Sequence, residues 1–225
     1  MITQKVMMID PKQTDYFYEE AIKTLRTNIQ FMGKNIKSIV VTSCYPNEGK
    51  SDIVFQLAKE IGNMNKKVLI LDADIRKSSY VNRYKINHKV KGISQYLSGQ
   101  LNMEEIIYHT NFQNVDIIFA GPTAPNPSEL LEEEVFMELI EEMREKYDYI
   151  LIDTPPISNL IDAAIAAKQC DGAILVIESE LVSYKVAAKA KAQLELSGCR
   201  ILGAVLNKVD VKKDKYYSKY NDYYR

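Results

Sequence analysis

The sequence predicts an α/β fold, one domain built on a mostly parallel β-sheet flanked by helices on both faces. Three observations predict it. The chain has 225 residues, 46% of them hydrophobic, which supports one continuous core and is short for two. Brief runs that are apolar on both faces recur along it, as strands covered on both sides require. Helical patterns lie between most of these runs, the alternation that gives parallel crossovers.

Taken in order, Phe17, Ala21, Leu25, Ile29 and Met32 recur every three or four residues and predict a helix ahead of the first strand. The β-branched run at residues 38–42 predicts a strand. It leads through a loop holding Pro46 and Gly49 into a helical pattern from about residue 51 to residue 64. Further strands are predicted at residues 67–71, 115–119, 149–152, 173–177 and 201–206. Asn126-Pro127-Ser128-Glu129 reads as a helix start: a capping amide, a proline at the first helical position and a glutamate able to reach back. From about Lys212 the periodicity is lost, and Lys212, Lys213, Lys215, Lys219 and Arg225 outnumber Asp214 and Asp222. The expected organisation is therefore a domain over residues 1–210 and a mobile tail over residues 211–225.

Composition narrows the function classes. Lys and Arg number 29 against 30 Asp and Glu, so bulk charge gives no reason to expect a nucleic-acid partner. Cys44, Cys170 and Cys199 are odd in number and lack the paired spacing of a metal or dithiol site. No signal-peptide run and no membrane-length apolar run occurs, which predicts a cytoplasmic chain. Tyrosine is abundant, at fifteen residues with no Trp. Tyr216, Tyr217, Tyr220, Tyr223 and Tyr224 all fall in the last ten positions.

Chemistry concentrates in three segments. Pro46-Asn47-Glu48-Gly49-Lys50-Ser51 falls between a predicted strand and a predicted helix, the setting in which backbone N–H groups converge on phosphate oxygens. There Gly49 permits close approach, Lys50 adds charge at the β/γ positions and the Ser51 hydroxyl suits magnesium. Cys44 stands where a full phosphate-loop pattern has its first glycine. The second segment, Leu71-Asp72-Ala73-Asp74-Ile75-Arg76, puts two carboxylates and a cation at a strand end, and the third, Ile152-Asp153-Thr154-Pro155-Pro156, puts one more at another. Ligands of open parallel sheets sit beyond the carboxyl ends of strands, so all three point to one crevice. Mg²⁺ bound with phosphate takes oxygen ligands, and carboxylates at strand ends supply them directly or through water.

Together these segments resemble the bacterial tyrosine kinases that govern capsule and exopolysaccharide synthesis, P-loop NTPase-type proteins. Further agreement comes from residues 121–131, from Leu202-Gly203-Ala204-Val205-Leu206-Asn207 and from the terminal tyrosines. The resemblance spans essentially the whole chain. It implies an ATP- and Mg²⁺-dependent tyrosine autokinase in which Lys50 and Ser51 contact phosphate and metal, and Asp74 and Asp153 hold or orient the metal. Asp72 is the implied base, and Arg76 steadies the transferring phosphate or its loop. The nucleotide site is expected to take in Pro46 to Asp52 and Asn207, with Asn207 near the base. Asn47 and Asp52 depart from the family's loop, where a glycine and a small hydroxyl residue are common. The acid at Asp52 either weakens ATP binding or points away and favours the helix N-terminus.

The same resemblance implies a ring-shaped homo-oligomer, an octamer among its sizes, in which Glu20, Lys23 and Arg26 face a neighbouring subunit. Lys23 stands where the family has arginine, and lysine cannot reproduce a bidentate guanidinium contact. The implied partners are a membrane adaptor, the polysaccharide co-polymerase chain that activates the kinase at the inner face of the membrane, and a cognate tyrosine phosphatase. Phosphorylation of the tail in trans would turn it from basic to acidic and loosen the ring.

Three other readings are compatible with parts of the sequence. A partitioning or cell-division ATPase of the MinD/ParA kind shares the loop, but Tyr45 occupies the place of its signature lysine and no terminal amphipathic helix is evident. A GTPase is suggested by Asn207-Lys208-Val209-Asp210, yet Asp153 is followed by Thr154-Pro155-Pro156 rather than a glycine-bearing switch. A nucleotide-binding module that acts only by assembly differs from a kinase in transferring no phosphate.

Overall fold

A computed structural model describes residues 4–12, 15–158 and 160–210. The tail over residues 211–225, with its five tyrosines, lies outside the described residues. The strands are β1 (Gln4–Val6), β2 (Ser38–Ser43), β3 (Val68–Asp72), β4 (Ile107–Thr110), β5 (Val115–Ile118), β6 (Tyr149–Asp153), β7 (Gly172–Glu178) and β8 (Ile201–Asn207). The helices are α1 (Tyr16–Phe31), α2 (Lys50–Asn63), α3 (Tyr80–Arg83), α4 (Ile93–Leu97), α5 (Pro127–Glu132), α6 (Glu134–Lys146), α7 (Asp162–Lys168) and α8 (Tyr184–Leu196). The eight strands form one sheet in the order β1-β4-β5-β3-β6-β2-β7-β8. All pairings are parallel except β4 with β5.

The sheet separates two cores. On one face Ile39, Val41, Val68, Ile70 and Leu151 pack with Ile53, Leu57 and Ile61 of α2 and with Ile29 of α1. On the other, Val40, Leu69, Leu71, Ile150 and Ile152 meet Leu139 and Ile140 of α6, Ala163 and Ala166 of α7, and Leu194 of α8. Strands β2, β3 and β6 are buried along almost their whole length, which is why their sequences read as continuous apolar runs.

The predicted first helix exists, but its buried stripe is rotated. Ile22 and Ile29 are buried whereas Phe17 and Ala21 face outward, because Tyr18 rather than Phe17 turns towards α2. The predicted last strand also exists, yet Gly203, Ala204 and Leu206 are exposed, since β8 is the sheet edge and is incompletely covered. At the predicted helix start, Asn126 is the residue before α5 and Pro127 its first position, but Asn126 makes no backbone cap. Its amide donates instead to Glu129 Oε2 at 2.8 Å.

Close packing at one position gives a direct test. Gly62, in the last turn of α2, lies where a Cβ would meet the Gln113 carbonyl oxygen at 2.3 Å. Helix propensity alone favours alanine over glycine by about 1 kcal/mol, but the clash is with backbone and forces a shift. Gly62→Ala is therefore expected to lower the unfolding free energy by about 1–3 kcal/mol, measured by denaturant titration; stabilisation would show that the helix slides freely over this loop.

Candidate active site

The P-loop runs from the end of β2 to the start of α2, and its conformation is set from behind. Gly49 adopts φ 92, and a Cβ there would lie 2.3 Å from Asn207 Nδ2, so both backbone and space exclude a side chain. Asn47 sits at φ 67, a left-handed conformation that asparagine tolerates better than most residues. Glu48 is fully buried. One of its carboxylate oxygens accepts from the Tyr45 N–H and the other from the Glu178 N–H at 2.7 Å. Its side chain is thus a strut between the loop and β7, and only its backbone is left to face a phosphate.

Asn207 Nδ2 donates to the Glu48 carbonyl at 2.8 Å, and Lys208 Nζ donates to the Asn47 carbonyl and to Glu178, both at 2.8 Å. The ends of β7 and β8 therefore grip the loop. The segment after β6 grips its other side: Thr42 Oγ1 donates to the Pro155 carbonyl at 2.9 Å and Thr154 Oγ1 to the Val41 carbonyl at 3.0 Å. The Ile157 N–H donates to the Ser43 carbonyl at 2.9 Å.

Register brings the carboxylates together. Asp72 and Asp153 are direct partners across the β3–β6 pairing, so their side chains leave the sheet on the same face. Alternation places that face with Ile70 and Leu151, the side covered by α2. Both aspartates are almost completely buried. Burial raises the Asp153 pKa, while the Lys50 ammonium and the Ser51 hydroxyl pull it back down. Burial and the neighbouring Asp153 charge push Asp72 up to about 8, against a hydrogen bond from Ser78 Oγ that favours its ionised form. The Ala120 N–H also donates to Asp72 Oδ2, at 3.4 Å. Asp74, two residues on, accepts from the Lys77 N–H at 2.9 Å.

Lys50, Ser51, Asp72 and Asp153, singled out in the sequence, lie together in the structure. Other expected residues are engaged elsewhere. Arg76 binds Asp162 through Nε at 2.7 Å and Nη2 at 3.0 Å, and Nη2 also reaches Ser128 Oγ at 2.9 Å. It ties the segment after β3 to α5 and α7, so of its two expected roles the bonds are those of a loop anchor. The Asp52 carboxylate turns away from the loop: Lys12 Nζ lies 2.5 Å from Oδ2 and Tyr18 Oη donates to the same oxygen at 2.9 Å. Lys12 also sits 3.4 Å above the Tyr18 ring. The alternative in which Asp52 points away is the one observed, and its charge is balanced by a residue forty positions earlier. Glu20 and Lys23 pair with each other at 2.8 Å. Arg26 instead bridges to Glu60 of α2 at 2.7 Å, so its guanidinium is spent within the subunit.

Several neighbours of the site carried no readable signal. Ser78 and the Ala120 amide meet Asp72 only through folding. Tyr80, fully buried, places its hydroxyl 3.4 Å from the Ser51 carbonyl and stacks with Tyr84, which stacks in turn on Phe55 of α2.

The donor set fits magnesium. Asp153 Oδ1 is buried without a hydrogen-bond partner, and the oxygen atoms of Ser51 and Asp74 are the further ligands of the right kind. Among the described residues, no group of three or more His, Cys, Asp or Glu side chains forms a ready-made metal cage.

The chain matches the family model described as "AAA domain" over residues 36–195. It is 40% identical over 205 residues to the tyrosine-protein kinase CpsD of Streptococcus agalactiae, covering 91% of this chain and 89% of that protein. Among solved structures it resembles the kinase domain of Escherichia coli tyrosine kinase ETK, with TM-score 0.81, 28% identity and coverage of 90% and 88%. It also resembles the septum site-determining protein MinD of Pyrococcus horikoshii, solved with Mg-ADP, at TM-score 0.67 and 27% identity over 78% of this chain and 71% of that one. No described helix is long and apolar enough to cross a membrane.

The buried Asp72 predicts a pH-dependent stability. Its folded pKa of about 8 lies above the 3.8 of an ordinary Asp, so the folded state holds a proton that the unfolded state releases. Stability is then full below about pH 4 and falls as pH rises towards 8. Asp72→Asn removes that loss: its melting temperature should exceed the wild type's by about 5 °C at pH 8 and converge with it near pH 4. A difference of the same size at both pH values would contradict this account.

Proposed function

The chain belongs to the bacterial tyrosine-protein kinase family, and from that premise we propose that it transfers the γ-phosphoryl group of ATP to tyrosines of its own C-terminal cluster. One observation carries the proposal: Lys50, Ser51, Asp72 and Asp153 meet on one face of the sheet beneath the P-loop. MinD is a relative in structure, which accounts for the shared loop and sheet without making assembly the product.

Phosphoryl transfer needs positioning and charge neutralisation more than covalent help from the protein. The loop amides from Pro46 to Ser51 cradle the phosphates, and Lys50 follows the charge at the β/γ positions. Ser51, Asp74 and Asp153 would hold magnesium, which would supply charge neutralisation when bound. Asp72 accepts the proton of the incoming tyrosine hydroxyl. The tyrosine oxygen bonds to the γ-phosphorus, the bond to the β–γ bridging oxygen breaks, and ADP leaves. Asn207, on the β8 side of the loop, marks the end at which the nucleotide base lies.

The acceptors proposed are Tyr216, Tyr217, Tyr220, Tyr223 and Tyr224 of an adjacent copy, within a ring to which Glu20 and Lys23 of α1 contribute. A separate membrane adaptor completes and recruits the kinase at the inner face of the membrane, a tyrosine phosphatase resets it, and capsular or extracellular polysaccharide synthesis is the process controlled.

Incubation with Mg-ATP and the cytoplasmic segment of the adaptor is expected to place phosphate on the terminal tyrosines, read by mass spectrometry. Lys50→Met should reduce that signal by at least about 100-fold. Phosphate on the tail at wild-type level in Lys50→Met would sink the assignment, and strong preference for GTP over ATP in a binding titration would redirect it to the guanine-reading alternative.

A further inference from the structure

A cavity of about 880 Å³ opens beside the aspartates, between the segments that follow β3 and β5. Its position along the sheet gives it meaning. From one edge inward, β8 and β7 hold the back of the P-loop, β2 leads into the loop, and β6 and β3 bring Asp153 and Asp72. The next strand is β5, and the residues after it, Phe119 to Thr123, line the cavity. The P-loop and the two carboxylates thus fall in a row along the sheet, and the cavity lies at the end away from β8. Its wall touches the base directly: Ser78 and Ala120 both line it, and both donate to Asp72 Oδ2.

The lining has two characters. Val81, Ile86, Val90 and Phe119 supply an apolar surface suited to an aromatic ring. Lys77 and Lys89 supply exposed ammonium groups that make no ion pair among the described residues. Arg76, the other strong cation in the lining, is neutralised by Asp162.

We propose that this cavity admits the acceptor tyrosine, and that Lys77 and Lys89 select tyrosines with an acidic neighbour. This deepens the kinase reading and rests on it. The ring enters over the apolar lining, and its hydroxyl takes the place of Ser78 Oγ on Asp72. The occupant is the tail segment Asn221-Asp222-Tyr223-Tyr224 of a second copy. Asp222 directly precedes its tyrosine pair, whereas Lys215 precedes Tyr216 and Lys219 precedes Tyr220. Tyr223 and Tyr224 are therefore the first acceptors. Once they are phosphorylated, their charge makes the rest of the tail acceptable to the same rim.

The test uses the full chain with the adaptor segment and Mg-ATP, and two synthetic peptides in which one tyrosine is flanked by aspartates or by lysines. The wild type is expected to favour the acidic peptide in kcat/KM by roughly fivefold or more, less at high salt. Lys77→Glu/Lys89→Glu should reverse the preference while leaving the KM for ATP unchanged, an effect that a merely structural role would not produce. Equal use of both peptides by the wild type, or the same preference in both proteins, overturns the inference. Fluorescence anisotropy of the labelled peptides without ATP separates the two levels. Charge-dependent binding that switches in the variant, with no transfer to any peptide, leaves the cavity assignment standing and removes the kinase reading. Transfer without charge dependence does the opposite, and neither binding nor transfer removes both.

Discussion

Two carboxylates side by side beneath a sheet-covering helix are an unfavourable arrangement, and the structure is organised around holding them there. Asp72 and Asp153 are brought together by strand register, not by flexible loops. They cannot separate without breaking the pairing of the two central strands. Burial raises both pKa values, with the Asp153 charge adding to the rise at Asp72 and the Asp74 charge to that at Asp153. A folded chain accepts such a cost at a place where a cation is to be bound, since charge supplied there satisfies both groups at once.

The surrounding contacts make sense as ways of keeping that geometry while the loop above it stays open to a ligand. The P-loop has a left-handed Asn47 and a left-handed Gly49, conformations these two residue types tolerate but do not by themselves enforce. They persist because Glu48, Asn207 and Lys208 bond the loop to β7 and β8 on one side, and the two threonines bond β2 to the segment after β6 on the other. The N-terminal segment contributes at longer range. Lys12 and Tyr18 absorb the charge of Asp52, which would otherwise sit in the first turn of α2, beside the residues proposed to hold phosphate.

Much of this was legible in the sequence, for physical reasons that also explain the misses. Strands β2, β3 and β6 are buried on both faces and so leave unmistakable apolar runs, and the aspartates that end β3 and β6 inherit their position from those strands. The three-residue β1 and the four-residue β4 were missed because strands this short carry too few residues to show a period. The turn of α1 was misjudged because Phe17 and Tyr18 are both aromatic, and only the distant Asp52 decides which of them faces inward. A sequence shows a charge but not its partner: Arg26, expected at a subunit face, pairs with Glu60, the Glu48 carboxylate is held by the Tyr45 and Glu178 amides, and Arg76, expected to steady a phosphate or its loop, bonds to Asp162 and Ser128. The cavity beside Asp72 was not legible as a unit, although Asp74 to Arg76 and residues 121–123 of its lining fall in segments the sequence singles out, because the two stretches meet only when β3 and β5 pair.

Asp72, buried beside Asp153 with its pKa raised by burial and by that neighbour's charge, is expected to give up a proton when a cation and its nucleotide bind. Calorimetric titration of Mg-nucleotide at pH 7, repeated in buffers of different ionisation enthalpy, tests it directly. The account predicts release of most of one proton per nucleotide bound, seen as a binding enthalpy that changes with the buffer, and no such dependence in Asp72→Asn. A wild-type enthalpy that is the same in every buffer would contradict it.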